Sequence, residues 1–526
     1  MKGSKPSKLH TPYSPWEIIL LLCVVALGFG LRYYGLGRQG LWADELFGIT
    51  TSYAPHFVGI IPQLIADSPP PGYLSFLYFY VPFFDGSEVQ LRLHSLLAGT
   101  LLVLLTHIFG RRYFSVTAGL IAAVLVAVNY QAIYYSQEAR AYAMLSVTCL
   151  ASLYYFLGFL LDGTATARHK ILFIVFSSLS MYLHYNGVVW VGCLGVIYFI
   201  ALCIRRWRRE FLIGGIQIFG ACGLLFLPWA KTMYHHMEGF SDYWGARQVV
   251  DISTLIHLND FLFSPYWLKY GNLFFVGGWA ICLIVSLQIL LPKRFQLASN
   301  TQLVSMLTVT SMAVMPIAVF YIKSKISMPV FQERHFVVLI PLFMLSTAAP
   351  IAYFFEKLSL NTIRYTVLAL ILGALGWKQT ESNLETGLYR LYTKDAIREA
   401  FDVVLADKPF MDGTNPMVLT THWQMGYYLR KSHFPEIGNA IYAKEHYQHL
   451  AQDLIKAGSF YFVSINPAEQ HPSLTASMEE FDMACRRELQ TRSGIVSVVK
   501  MVVKTGIPAP ATTECAPALK FSFPIN

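Results

Sequence analysis

The stretch EIILLLCVVALGFGLRYYGLGRQGLWADEL, residues 17–46, decides the fold. From Ile18 to Leu31 no charge interrupts the apolar run, and with its flanks it reaches the roughly 20 residues that a helix needs to cross a bilayer. Thirteen residues beyond Leu31, Asp44 and Glu45 stand side by side close to Trp42. A membrane span that delivers two carboxylates to one surface is the pattern from which the rest of the chain is read. Lys2, Lys5 and Lys8 before this run resemble the head of a signal peptide. No small-residue cleavage site follows, and the run is long enough to anchor, so we expect it to be retained.

Composition agrees. The 526 residues are 55% hydrophobic, 15% aromatic and only 13% charged, with a mean hydropathy of +0.46. A soluble domain carries about 25% charged residues, so a disordered chain, a secreted disulfide scaffold and a plain cytosolic enzyme fit poorly. The net charge of +9 would raise nucleic-acid binding in a soluble chain. Here the cations fall between apolar segments, where they set orientation instead, and no nucleic-acid partner is expected. Cys23, Cys149, Cys193, Cys203, Cys222 and Cys282 lie in apolar stretches and read as small hydrophobes. Cys485 and Cys515 lie in a polar region, where an oxidising compartment would permit a bridge without requiring one.

About eleven spans can be placed on the apolar-length criterion: roughly 17–36, 90–109, 114–134, 141–161, 170–187, 188–204, 211–229, 272–291, 300–321, 336–355 and 364–377. With the N-terminus in the cytoplasm, Arg111–Arg112, Arg168 with Lys170, the Arg205–Arg209 cluster, Lys293–Arg294 and Lys357 all fall inside. Most loop acids then fall outside, Asp44, Glu45, Glu88, Glu138 and Glu333 among them. The run Gly72–Phe84 is too short to span and reads as a helix in the interface. The expected fold is therefore a polytopic α-helical membrane protein with interfacial helices in its first outer loop, a membrane domain over 1–377, and an extracytoplasmic α/β domain over 378–526. In the latter, Met417–Thr421, Ser459–Ile465 and Ile495–Val503 are β-rich, while Lys394–Ala406, Gln424–Lys431 and Glu445–Lys456 have helical patterns.

The chemistry gathers on the outer side. A carboxylate such as Asp44 in a partly dry cleft can take the proton of an acceptor hydroxyl or amine, while Glu45 points elsewhere and holds backbone or substrate; a solvated acid pair beside an interfacial Trp is the plainer account. Glu138, Arg140 and Tyr142 arrive together at the start of a helix. There a guanidinium and the helix dipole both suit a phosphate, although a Glu138–Arg140 pair or interfacial snorkelling explains them equally. The cluster Tyr182-Leu183-His184-Tyr185-Asn186 would line a polar pocket, or its His and two Tyr belong to the aromatic belt. Arg334 and His335, after Lys323 and Lys325, put cations at the outer edge, where a lipid phosphate would meet them. His235 and His236 with Glu238 and Asp242 are a weak metal set, because adjacent histidines cannot share a helix face. P-loops, GxGxxG turns and Ser-based triads are not evident. Gly214-Gly215 and Gly277-Gly278 read as helix packing.

The order of these pieces resembles the membrane glycosyltransferases of GT-C fold, in particular the dolichyl-phosphate-mannose protein mannosyltransferase-like group that includes bacterial lipid A aminoarabinose transferases. Leu41-Trp42-Ala43-Asp44-Glu45, Asp67-Ser68-Pro69-Pro70-Pro71-Gly72-Tyr73, Leu91-Arg92-Leu93-His94-Ser95, Ser136–Tyr142 and Gln332-Glu333-Arg334-His335 carry the resemblance, over approximately 15–355. It implies catalytic Asp44 with Glu45 beside it, and a sugar donor on a polyprenyl monophosphate. It also implies inversion at the anomeric carbon and no nucleotide or obligatory metal cofactor; a divalent metal is possible but unsupported. Arg140 and Arg334 would neutralise the departing phosphate. Two positions depart from the family pattern: Pro69 stands where relatives often carry a basic residue, and His335 where they often carry Tyr. The acceptor implied is a lipid, protein or glycan at the outer face of a bacterial inner membrane. The rival reading is a transporter or lipid flippase, but the chain shows neither repeated halves nor acids at mid-membrane.

Overall fold

The computed structural model describes residues 12–66, 70–84, 86–162, 166–239, 250–263, 271–290, 299–327 and 330–356, single positions between 366 and 398, and five strands beyond residue 416. In chain order the helices are α1 Pro15–Tyr33, α2 Ala43–Ser52, α3 Ile61–Ala66, α4 Pro71–Tyr80, α5 Glu88–Tyr113, α6 Val116–Val128, α7 Tyr130–Tyr134 and α8 Tyr142–Asp162. They continue with α9 Ala167–Leu183, α10 Asn186–Ile204, α11 Arg209–Gly239, α12 Ile252–Phe263, α13 Gly271–Leu287, α14 Asn300–Ile326 and α15 Ile340–Glu356, with a 3-10 helix Glu333–Leu339 leading into the last.

Among the described residues seven helical stretches are long and apolar enough to cross a membrane, not the eleven that hydropathy alone lays out. The difference has local causes. The expected span 114–134 is two helices: α6 stops at Val128, Asn129 turns extended (ψ 128°), and its Oδ1 accepts the N–H of Ala132 at 2.9 Å to start α7. At 13 residues α6 is roughly 20 Å long, short of the roughly 30 Å of hydrocarbon. α9, with 17 residues, and the apolar part of α13, Val276–Leu287, are short in the same way. Most of 364–377 lies outside the described residues. The chain is an all-helical polytopic membrane protein over its described spans. Its first inter-span stretch is itself helical, and α4, at ten residues, is too short to span, as read from Gly72–Phe84.

The chain divides into two compact units. The first comprises 1–36, 54–79 and 91–389. Its centre is α6, where every residue from Thr117 to Val128 is buried; α1 and α15 pack on it. Helix α1 has only 28% of its apolar window buried, against 89% for Glu333–Tyr353, so α1 is peripheral and α15 central. Since lipid tails are as apolar as leucine, packing here depends on close approach. A methyl added at Gly110 of α5 would lie 2.6 Å from the Gly119 Cα of α6, so the two backbones touch there. Gly215 faces the Tyr198 ring and Gly278 faces Thr347, whereas Gly277 has nothing within 4 Å. One member of that expected packing pair therefore does the packing.

The second unit comprises 37–53, 80–90 and 390–526. It draws two pieces of the first loop together with the C-terminal stretch. Its sheet has the order β2-β1-β3-β5-β4, from β1 Met417–Thr420, β2 Ala440–Tyr442, β3 Ser459–Ile465, β4 Cys485–Ser493 and β5 Val496–Val503. β1 runs parallel to β2 and β3; β5 runs antiparallel to β3 and β4. Three strands occupy the runs read as β-rich. The helices expected over 394–406, 424–431 and 445–456, and a Cys485–Cys515 bridge, fall outside the described residues apart from isolated positions.

Candidate active site

Asp44 and Glu45 sit in the first turn of α2, where successive side chains diverge by about 100°. Glu45 is fully buried, and its Oε2 accepts the Trp42 N–H at 3.2 Å, closing the N-terminal turn. Glu45 thus holds backbone, one of the two roles read for it in the sequence, and helps to start α2. Asp44 is half-buried in the same turn. In the same unit Arg398 donates from Nη1 to the Gly37 carbonyl at 3.0 Å and from Nη2 to that of Arg38, and it lies 3.4 Å from Glu88 Oε1. Both ends of the loop carrying Asp44 thus meet one guanidinium. The sequence reading named Glu88 only as a loop acid and passed over Arg398.

The other expected residues lie in the first unit. Tyr135, Tyr142, His184 and His335 form a run of ring contacts, with centroids 5.1, 5.6 and 5.3 Å apart in turn. Tyr142 is 3% exposed and Glu138 4%, whereas Arg140 and Arg334 are half-buried. The Arg140 N–H bonds the Glu138 carbonyl at 2.8 Å, which makes the turn that presents Arg140. Arg334 donates from Nε to Gln332 Oε1 at 2.8 Å.

Asn186, the last residue of the cluster read from Tyr182 onward, joins the two sides. Its N–H donates to His184 Nδ1 at 3.2 Å, and its Nδ2 donates to the His335 carbonyl at 2.8 Å. His184, in the turn between α9 and α10, is held neutral. Burial first, then Arg140, then Arg334, push its pKa down to about 3. Burial likewise pushes the Tyr135 phenol well above its usual range, against the pull of Arg334. The positive charges of Arg140 and Arg334, from different elements, thus both disfavour a second positive charge on His184.

A cleft of about 530 Å³ opens beside this cluster, lined by Tyr135, Ser253, Thr254, His257, Glu333 and Arg334 with apolar neighbours. Its volume falls in the range of small-molecule sites. His257, from α12, went unremarked in the sequence because a single histidine in an amphipathic helix carries no pattern. Tyr185 does not join the cluster. Its hydroxyl contacts His236 Nδ1 at 2.8 Å and receives the Trp229 Nε1–H at 3.1 Å. His236 turns its other nitrogen to the Ile65 carbonyl, while His235 pairs with Glu238, so the two histidines diverge as their adjacency requires.

Residues 53–243 match the family model for dolichyl-phosphate-mannose-protein mannosyltransferase. No curated protein sequence matches the chain. Among solved structures, ArnT from Cupriavidus metallidurans in the apo state superposes with a TM-score of 0.56 at 13% identity, covering 92% of this chain and 98% of that one. The same protein bound to undecaprenyl phosphate gives 0.56 at 13%, over 91% and 97%. The archaeal oligosaccharyltransferase AglB from Archaeoglobus fulgidus, in complex with an inhibitory peptide and a dolichol-phosphate, gives 0.52 at 12%, over 94% of this chain and 75% of that one. At these identities the likeness is one of fold, the GT-C arrangement.

Proposed function

We propose that this chain, a membrane glycosyltransferase by its match to the dolichyl-phosphate-mannose-protein mannosyltransferase family, moves a sugar from a polyprenyl phosphate to a lipid, protein or glycan acceptor at the extracytoplasmic face. The observation that carries the reading is the buried ring run Tyr135–Tyr142–His184–His335 with Arg334 lining the adjoining cleft, the charges of Arg140 and Arg334 both bearing on His184. A phosphate seated there gains two charge-assisted partners as negative charge builds on it, the term that usually dominates such catalysis. The neutral imidazole adds no competing charge and can accept or donate one hydrogen bond. The likeness to an ArnT structure that holds undecaprenyl phosphate supports the same donor class.

In this mechanism Asp44 takes the acceptor's proton, and the freed oxygen or nitrogen attacks the anomeric carbon. The carbon–oxygen bond to phosphate breaks with its electron pair going to the phosphate, the sugar centre inverts, and polyprenyl phosphate leaves. Asp44 has the setting for this role: half-buried in the first turn of α2, with its neighbour Glu45 tied to backbone. The placing of the basic loops supports an outer position for this face. The test is release of polyprenyl phosphate from a panel of polyprenyl-phosphate sugars with crude envelope acceptors. Release should occur with the native protein and fall about 10²–10⁴-fold in Asp44→Asn, the range of a lost general base. Equal release by the variant would remove Asp44 from the chemistry, and no release from any donor by folded protein would favour the transporter reading.

A further inference from the structure

Arg32, at the last turn of α1, has no exposed surface. A cation so placed in a membrane protein needs a reason. Its Nη1 donates to the carbonyls of Gly28 and Ala127, each at 3.0 Å, and its Nη2 to that of Val126 at 3.2 Å. Because α6 breaks after Val128, the carbonyls of Val126 and Ala127 lie in the last turn, where no continuing helix supplies N–H partners. The guanidinium supplies them. Its Nε reaches Ser136 Oγ at 3.2 Å, and that hydroxyl donates to the Ala132 carbonyl at 2.5 Å.

The next residue repeats the tie in reverse. Gln137 Nε2 donates to the carbonyls of Arg32 and Tyr34 at 2.9 and 2.8 Å. On the far side α5 closes in. A methyl at Gly99 would sit 1.9 Å from Ser136 Oγ and 2.9 Å from Arg32 Nε, so only glycine admits the contact. One turn earlier, Ser95 Oγ donates to the Arg140 carbonyl at 3.2 Å. The segment Ser136–Arg140 is thus fixed at its start by Arg32 and at its end by α5.

We propose that Arg32 and Gln137 act together as positioning residues: by tying the end of α1 and the open end of α6 to the Ser136–Arg140 turn, they set where the Arg140 guanidinium meets the donor phosphate. This rests on the reading of Arg140 as a phosphate contact. A residue that only held the fold together would affect stability, whereas one that places Arg140 affects anion affinity through Arg140, and the two effects separate in a double-mutant cycle.

The experiment measures binding of undecaprenyl phosphate, with undecaprenol as the uncharged control, to the purified full-length protein and to Gln137→Ala, Arg32→Lys, Arg140→Gln and Gln137→Ala/Arg140→Gln, alongside thermal midpoints. Gln137→Ala and Arg32→Lys are expected to weaken phosphate-lipid binding about tenfold and leave undecaprenol binding unchanged. The double variant should bind no more weakly than Arg140→Gln alone. If Arg32→Lys does not fold, Gln137→Ala and its cycle decide the matter. Wild-type binding by Gln137→Ala, or losses that multiply in the double variant, overturn the positioning role while leaving Arg140 as the contact. Wild-type binding by Arg140→Gln overturns the phosphate reading and this inference together.

Discussion

At the scale of single residues, adjacency in sequence and adjacency in role come apart. Asp44 and Glu45 share a dipeptide, yet Glu45 is consumed by the Trp42 N–H. His184 and Tyr185 are likewise neighbours that face different clusters. The charges Glu138, Arg140 and Arg334 were legible because a charge stands out in an apolar sequence; the role of Arg32 was not, because most of its partners are backbone carbonyls, which no sequence advertises. His184 also carries a pH consequence. The fold keeps it neutral down to about pH 3, while the unfolded chain accepts a proton near the ordinary value of 6.5. Between those limits the unfolded state holds more protons, so stability rises with pH across the window and falls as the medium is acidified. The slope is at most about 1.4 kcal/mol per pH unit. Thermal unfolding in detergent from pH 7 to pH 4 should show a steeper loss for the native protein than for His184→Gln; parallel curves would show that His184 is not buried neutral.

At the scale of elements, the break at Asn129 matters most. Hydropathy counts residues 114–134 as one apolar run, because a single asparagine costs such an average little. The same residue both starts α7 and donates from Nδ2 to the Leu262 carbonyl at 3.0 Å, so it ends α6 and anchors α12. Replacement by alanine removes an N-cap, worth about 1 kcal/mol, and leaves a buried carbonyl with one donor fewer, worth about 1 kcal/mol more. Asn129→Ala should therefore lower the thermal midpoint and weaken undecaprenyl phosphate binding, since Tyr135 and Arg140 lie downstream of the break. A lower midpoint with unchanged binding would confine Asn129 to stability. The strands β2 and β4 escaped the sequence reading for a related reason. Ala440–Tyr442 is three residues long, and β4 carries Arg486, Arg487, Glu488 and Arg492, so neither offers an apolar run.

At the scale of the whole molecule, membrane class and the GT-C arrangement were legible from composition, charge placement and motif order, because a bilayer punishes any other distribution of polar residues. The number of spans was less so, since helices buried among other helices need not match the bilayer thickness. The proposed orientation rests on the Arg205–Arg209 cluster between α10 and α11, which the positive-inside rule favours in the cytoplasm. A phosphatase that folds only outside the cytoplasm should be inactive when fused after Trp207 and active when fused after His235. The reverse pattern would invert the topology and move the proposed chemistry to the cytoplasmic side.

The grip of Arg398 on Gly37, Arg38 and Glu88 has a consequence in time. Arg398 lies 310 positions after Glu88 (398 − 88), so at roughly 5–20 residues per second on the ribosome its partner waits on the order of tens of seconds. Most of the helices are made during that interval. The loop bearing Asp44 therefore acquires this restraint only after most of the membrane unit has been synthesised, and a nascent chain halted before residue 398 carries the loop without its clasp.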